Sequence, residues 1–217
     1  LGSRADRVHV VFVGAEEALF KPGPARAKAP GEALEVLFFG SFIPLQGAAV
    51  IIDAARCYQG PPVRWTLIGA GPELAACKAA AQNLANVHFE PWVDYLILPE
   101  RIRQADILLG VFGVTQKAGR VIPNKVFQAL ACGKPLISRS APAYPDTLAD
   151  APGLTWVPPG DPAALARAVA HLAEHAANLP ELGRQAREIF DQHFSGARLT
   201  GDLSRALADL ADTGRHA

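Results

Sequence analysis

Apolar runs of strand length alternate with amphipathic segments of helix length along this chain, and that alternation restricts it to a parallel sheet covered by helices on both faces. The strand-length runs fall at residues 8–13, 35–39, 63–68, 87–90, 106–112, 135–138 and 154–157. Several are continuously apolar, as strands buried on both faces are. Helical spacing fills the gaps at residues 48–58, 72–84, 98–104, 124–132, 162–176, 179–194 and 198–212. The expected architecture is a single α/β domain of three layers, α/β/α, with a mostly parallel sheet. Residues 14–32, rich in Pro, Gly and Ala, have linker composition.

At 217 residues, half of them apolar, the chain is long enough for one sizeable core. Lys plus Arg equals Asp plus Glu at 21 each, which argues against a general nucleic-acid binder. The three cysteines, Cys57, Cys77 and Cys132, are widely spaced and odd in number, so a reducing cytoplasm is the expected compartment. The apolar run over residues 36–52 is interrupted by Gly40, Pro44, Gln46 and Gly47, which makes it strand, loop and helix and not a membrane span. No signal-peptide pattern opens the chain. It contains no Met at all, from which a start inside a longer gene product is expected.

In an open parallel sheet, ligands bind beyond the carboxyl ends of the strands. Three loops there stand out. Residues 117–135, KAGRVIPNKVFQALACGKP, read as a basic loop entering a helix. Pro123 fits the first helical turn and Gly133 the position past its end. Val126, Phe127, Leu130 and Ala131 give the helix an apolar face. Lys117, Arg120 and Lys125 flank its N-terminus, so helix dipole and cations together suit an anion such as phosphate, a basic surface loop being the alternative. Residues 40–47, GSFIPLQG, form a glycine-bracketed turn able to bring amides against a diphosphate, or an ordinary strand-to-helix connection.

The third loop, Gly69-Ala70-Gly71-Pro72-Glu73, begins like a dinucleotide fingerprint, with Glu90 ending the next strand. Pro72 and Leu74 then break the pattern. His171, Glu174 and His175 spell H-x-x-E-H, a zinc-peptidase pattern, but no motif in the remaining 42 residues supplies a further ligand. A solvated face of an alanine-rich helix is the reading adopted. No Ser-His-Asp set or carboxylate pair can be assembled, so any chemistry rests on positioning and charge.

Taken in order, four stretches resemble the C-terminal, donor-binding half of a GT-B glycosyltransferase of the retaining, group-one type: FFGSFIPLQGAAVIIDAA, WTLIGAGPEL, VHFEPWVDYLILPERIRQADILLGVF, and IPNKVFQALACGKPLIS with LTWVPPGDPAALARAV. The resemblance implies a Rossmann-like domain forming one half of a GT-B architecture. Residues 1–33 would be the interdomain strand and linker, residues 196–217 the C-terminal helix, and the acceptor-binding N-terminal half would be absent from this chain.

It further implies a nucleotide-sugar donor as substrate and no cofactor, and because lysine, arginine and helix amides supply the positive field while no carboxylate pair is placed to hold an ion, no metal is expected to be required. Gly40, Ser41, Gln46 and Gly47 would face the diphosphate, although Ser41 and Gln46 stand where the family places basic residues. Gln128 replaces the acid that grips the ribose hydroxyls, and Lys117 to Arg120 fill the region of the upstream acid. Lys117 and Arg120, with Lys125, would then be a relocated clamp, the first two in the catalytic role. Asn124 completes the helix start, and Gly69, Gly71 and Val93 would line the base and adjoining wall. The rivals are a catalytically degenerate nucleotide-sugar module and an NAD-dependent oxidoreductase. For the last helices, packing on the partner half and peripheral contact at the inner face of a membrane both stay open.

Overall fold

The computed structural model describes residues 8–24 and 31–214. Six strands form one sheet, β1 (Leu34–Phe39), β2 (Val63–Ile68), β3 (Val87–Glu90), β4 (Ile107–Leu109), β5 (Leu136–Arg139) and β6 (Leu154–Val157). The order is β3-β2-β1-β4-β5-β6, and every pairing is parallel. Val36 at the centre sits between Trp65 and Ile107, and Leu136 lies opposite Leu154. The chain moves outward through β2 and β3, then returns to the other side of β1, so the order reverses between β1 and β4. That is the switch point at which doubly wound sheets open a crevice.

Alternation along each strand divides the core. Val36, Phe38, Trp65, Leu67, Ile107 and Leu109 face helices α1 (Ala48–Cys57), α2 (Leu74–Ala80) and α5 (Pro162–Glu174). Leu37, Phe39, Ile68, Leu108 and Leu136 face α3 (Leu98–Gln104), α4 (Asn124–Ala131) and α6 (Leu179–His193). Both layers of strand side chains are apolar because both are covered. Asp161 caps α5, its Oδ1 accepting the Ala164 N–H at 2.8 Å, and Pro162 follows in the first turn. Helix α7 (Gly196–Gly214) packs beside α6, leaving Leu203, Leu207 and Leu210 exposed.

The expected strand at residues 8–13 does not form. No strand among the described residues runs beside it, Val8, Val10 and Val13 are exposed, and Phe12 instead meets the Phe194 ring edge-on at 5.6 Å. Residues 1–7 and 25–30 of the expected linker and the last three residues of the C-terminal helix lie outside the described residues. Phe20, within the same linker, is fully buried in the second core layer. The strand expected over 106–112 is shorter because Val111 and Phe112 bend away to other partners, the Phe112 N–H donating to the Gln46 carbonyl at 3.0 Å.

Candidate functional site

The loops that follow β1, β2 and β4 meet at the carboxyl edge of the sheet. Glycines allow this close meeting. At Gly69 φ is +145°, and a Cβ there would stand 1.9 Å from the Gly40 carbonyl oxygen. Only glycine can hold that backbone against its neighbour. Gly47 starts α1 with φ +70°, pressed on the Phe112–Gly113 backbone, where a Cβ would lie 2.5 Å from the Gly113 nitrogen. Gly71 likewise faces the Phe42 backbone. The glycines of the second loop therefore pack on the first loop. Nothing in that geometry opens them as a pyrophosphate turn. Glu90 is engaged by Arg101 at 2.6 Å, which removes the acidic partner of the dinucleotide reading.

Two helices begin at this edge with bare ends. Neither α1 nor α4 has a side-chain cap, and neither has an acid in its first turn. Their first amides and dipoles favour an anion. Pro123 is the cap residue of α4, extended at φ −68°, ψ 145°, and not in the first turn as its sequence position suggested. The pyrrolidine has no N–H to satisfy in either place, which is why the sequence could not separate the two. Gly133 does end α4, with φ +65°.

Lys125 does not stand in the open loop. Its side chain runs beneath loop 40–47, leaving the residue only 6% exposed. The ammonium donates to Gln46 Oε1 at 2.7 Å and to the Gly110 carbonyl at 3.4 Å, and lies 3.8 Å from the centre of the Phe38 ring. Burial with no carboxylate nearby pushes its pKa well below the ordinary lysine value. Lys117 and Arg120 remain at the surface, on and just after a 3₁₀ turn (Lys117–Gly119), and neither side chain forms an ion pair among the described residues. Asn124 is exposed at the start of α4, and Gln128, one turn on, is half-buried. Ser41 and Val93 are half-buried at the loops after β1 and β3.

One residue escaped the sequence reading. Arg139 ends β5 and is 8% exposed; its guanidinium donates to the carbonyls of Gly113 at 2.8 Å and Ser140 at 3.1 Å and reaches beneath Gly119. It fastens the loop that carries Lys117 and Arg120. The signal was a charged residue closing an apolar strand on the carboxyl side. Lys125 and Arg139 are the only buried charged residues among the described residues. Both are cations, both lie at the carboxyl edge, and neither has a carboxylate partner.

A three-layer parallel domain with cations and helix starts gathered at its switch point is one half of a GT-B enzyme in form. Residues 33–175 match the family model of group 1 glycosyl transferases, and the chain belongs to that family. It is 30% identical over 177 residues to the D-rhamnosyltransferase WbpZ of Pseudomonas aeruginosa, covering 73% of this chain and 41% of that protein. It is 29% identical over 231 residues to the D-inositol 3-phosphate glycosyltransferase 2 of Catenulispora acidiphila, covering 96% and 53%. The chain thus spans about half the length of the curated relatives it matches.

Among solved structures, Anabaena Alr3699/HepE in complex with UDP superposes with TM-score 0.78 at 19% identity, over 94% of this chain and 58% of that one. The C-terminal domain of the group 1 protein LpcC from Francisella tularensis superposes with TM-score 0.66 at 19% identity, over 82% and 97%. The fold is that of the family's C-terminal domain. No helix of the described residues is long and apolar enough to cross a membrane.

Proposed function

We propose that the crevice between loop 40–47 and the β4–α4 loop holds the diphosphate of a nucleotide-activated sugar. With an N-terminal half that holds the acceptor, the protein then transfers the glycosyl group. The observation that carries this reading is the pair of buried cations, Lys125 and Arg139, left without any carboxylate at the switch point. Burying an unpaired charge is expensive, and a chain that retains two at one edge of a sheet is matched to an anionic ligand. One structural neighbour, Anabaena Alr3699/HepE, is solved in complex with UDP and glucose and in complex with UDP-glucose, so UDP-glucose is the first donor to test.

In this mechanism the bond between the anomeric carbon and the diphosphate oxygen breaks, its electron pair leaving with the diphosphate, while an acceptor hydroxyl oxygen held by the N-terminal half bonds to that carbon and gives its proton to the departing diphosphate. The growing negative charge is met by the amides opening α1 and α4 and by Lys117 and Arg120 at the rim. Lys125 supports from below, and Arg139 holds the rim loop in place. The protein supplies fixed positive field and orientation, with no metal or cofactor required. Gln128 offers the ribose a carbonyl acceptor, weaker than the carboxylate it replaces. Gly69, Gly71 and Val93 shape the wall beside the base.

The replaced residues Ser41, Gln46 and Gln128 favour a second reading, a binding module that retains donor and has lost turnover. Thermal-shift measurements with UDP-, GDP- and ADP-sugars beside NAD test both, because a ligand selective for the folded state raises its melting temperature. A rise with a sugar nucleotide that disappears in Lys117→Ala/Arg120→Ala supports the clamp. Protection by NAD alone overturns the reading, and binding without transfer by the longer protein selects the module.

A further inference from the structure

At the far end of α5, away from the crevice, the fold assembles a group of side chains that the donor site does not use. His171 and Glu174 are three residues apart and His171 and His175 four, spacings that share a helix face. A ligand atom from each lies within 4.8 Å of the others, and all three side chains are exposed. The imidazole rings of His171 and His175 approach to 4.5 Å between centres. The third ligand that sequence spacing failed to find elsewhere is Glu174 itself, in the same turn.

The helix ends where this cluster forms. His175 is the cap residue, at φ −108° and ψ 34°, and its departure from helical geometry turns the ring back over the last turn. Its Nδ1 lies 2.8 Å from the His171 carbonyl oxygen. A carbonyl only accepts, so Nδ1 carries the proton and Nε2 keeps its lone pair. Fixing the imidazole through its other nitrogen is the support that metal-binding histidines use. The His171 ring nitrogens and the Glu174 carboxylate make no hydrogen bond or ion pair among the described residues, so they are free to ligate.

We infer that His171, Glu174 and His175 form a surface site for one divalent ion of the zinc class, with water completing its coordination. Two imidazoles and a carboxylate suit zinc or its borderline neighbours, whereas magnesium and calcium prefer sets made of oxygen. Bonds of about 2.0–2.2 Å set tetrahedral ligands roughly 3.4 Å apart, within reach of side-chain rotation from the observed spacing. The site lies roughly 15 Å along α5 from the helix start beside the crevice. It clamps the last turn of α5 and takes no part in transfer, so it stands independently of the donor reading.

The test uses tag-free protein stripped with EDTA and titrated with zinc chloride by calorimetry, with melting curves in zinc and in magnesium. One equivalent of zinc is expected, with a higher melting temperature in zinc and none of that rise in magnesium. His171→Ala and His175→Ala, both at exposed positions, should each weaken zinc by more than the roughly 10–100-fold that loss of an outer-shell partner costs. Glu174→Gln should weaken it less. No zinc-dependent rise in the unaltered protein overturns the site. So does an equivalent that persists in the folded H171A/H175A double variant, which would place the ion elsewhere.

Discussion

The Lys125 ammonium donates to Gln46 Oε1 at 2.7 Å across the point where the strand order reverses, joining the start of α4 to the loop after β1. The acceptor is neutral, so the bond ties the two sides of the crevice together and leaves the ammonium without an opposite charge. Lys125→Met keeps the length of the side chain and removes the charge. Stability should be unchanged or higher by up to about 1 kcal/mol, some 2–4 °C in melting temperature, because an unpaired buried charge is relieved. Nucleotide-sugar affinity should fall at least about tenfold, the scale of one charge-assisted hydrogen bond. Calorimetry beside thermal melts reads both, and parallel losses would contradict the assignment.

Burial holds the Lys125 pKa well below its ordinary value, whereas the unfolded chain's lysine titrates near ~10.4. Between those two values the unfolded state binds more protons, so stability must rise with pH across that window. The wild-type gain in urea-unfolding free energy over Lys125→Met should therefore grow from pH 7 to pH 10. A diphosphate beside the ammonium favours its charged form, so donor binding should take up protons at the alkaline end. Calorimetry in buffers of different ionisation heat measures that uptake, and its absence from wild type would remove Lys125 from the site.

Gly69 and Gly201 separate two uses of glycine. A methyl group on Gly69 would meet the Gly40 carbonyl oxygen at 1.9 Å in a left-handed backbone, so Gly69→Ala should cost about 3 kcal/mol or more. Gly201 lies exposed within α7 with open space where a Cβ would stand, and Gly201→Ala should stabilise by about 0.5–1 kcal/mol through helix propensity alone. Denaturant midpoints compare them directly.

Gln128→Glu restores a carboxylate one turn into α4. If that position faces the ribose, donor affinity should rise by about 1 kcal/mol, roughly fivefold, since charge-assisted bonds are about twice as strong as neutral ones. Equal dissociation constants for the two proteins would place the ribose elsewhere.

The residues that form strands and helices could be read along the chain wherever local pattern and burial agree. The strands Val63–Ile68, Val87–Glu90 and Leu154–Val157 and the helix Leu98–Gln104 begin and end where the sequence placed them. Residues 8–13 misled because a strand needs a neighbour, and alternation alone does not provide one. The loops were recognisable by glycine and basic content, and the family by their order. Arg139 was passed over because it closes a strand, where side chains ordinarily pack and do not bind.

What the sequence determined by itself is periodicity: which segments are strands, which faces are apolar, and which loops fall at the carboxyl edge. Tertiary structure alone decided that Lys125 is buried under Gln46, that Arg139 braces the basic loop, and that Gly69 turns toward Gly40. The closeness of His171, Glu174 and His175, by contrast, is local, since the three share one turn of α5. The physical reason is range. Periodicity is set by neighbours three or four residues apart, whereas the charge, desolvation and close approach that define a site depend on residues such as 46 and 125, brought together only when the sheet reverses its order.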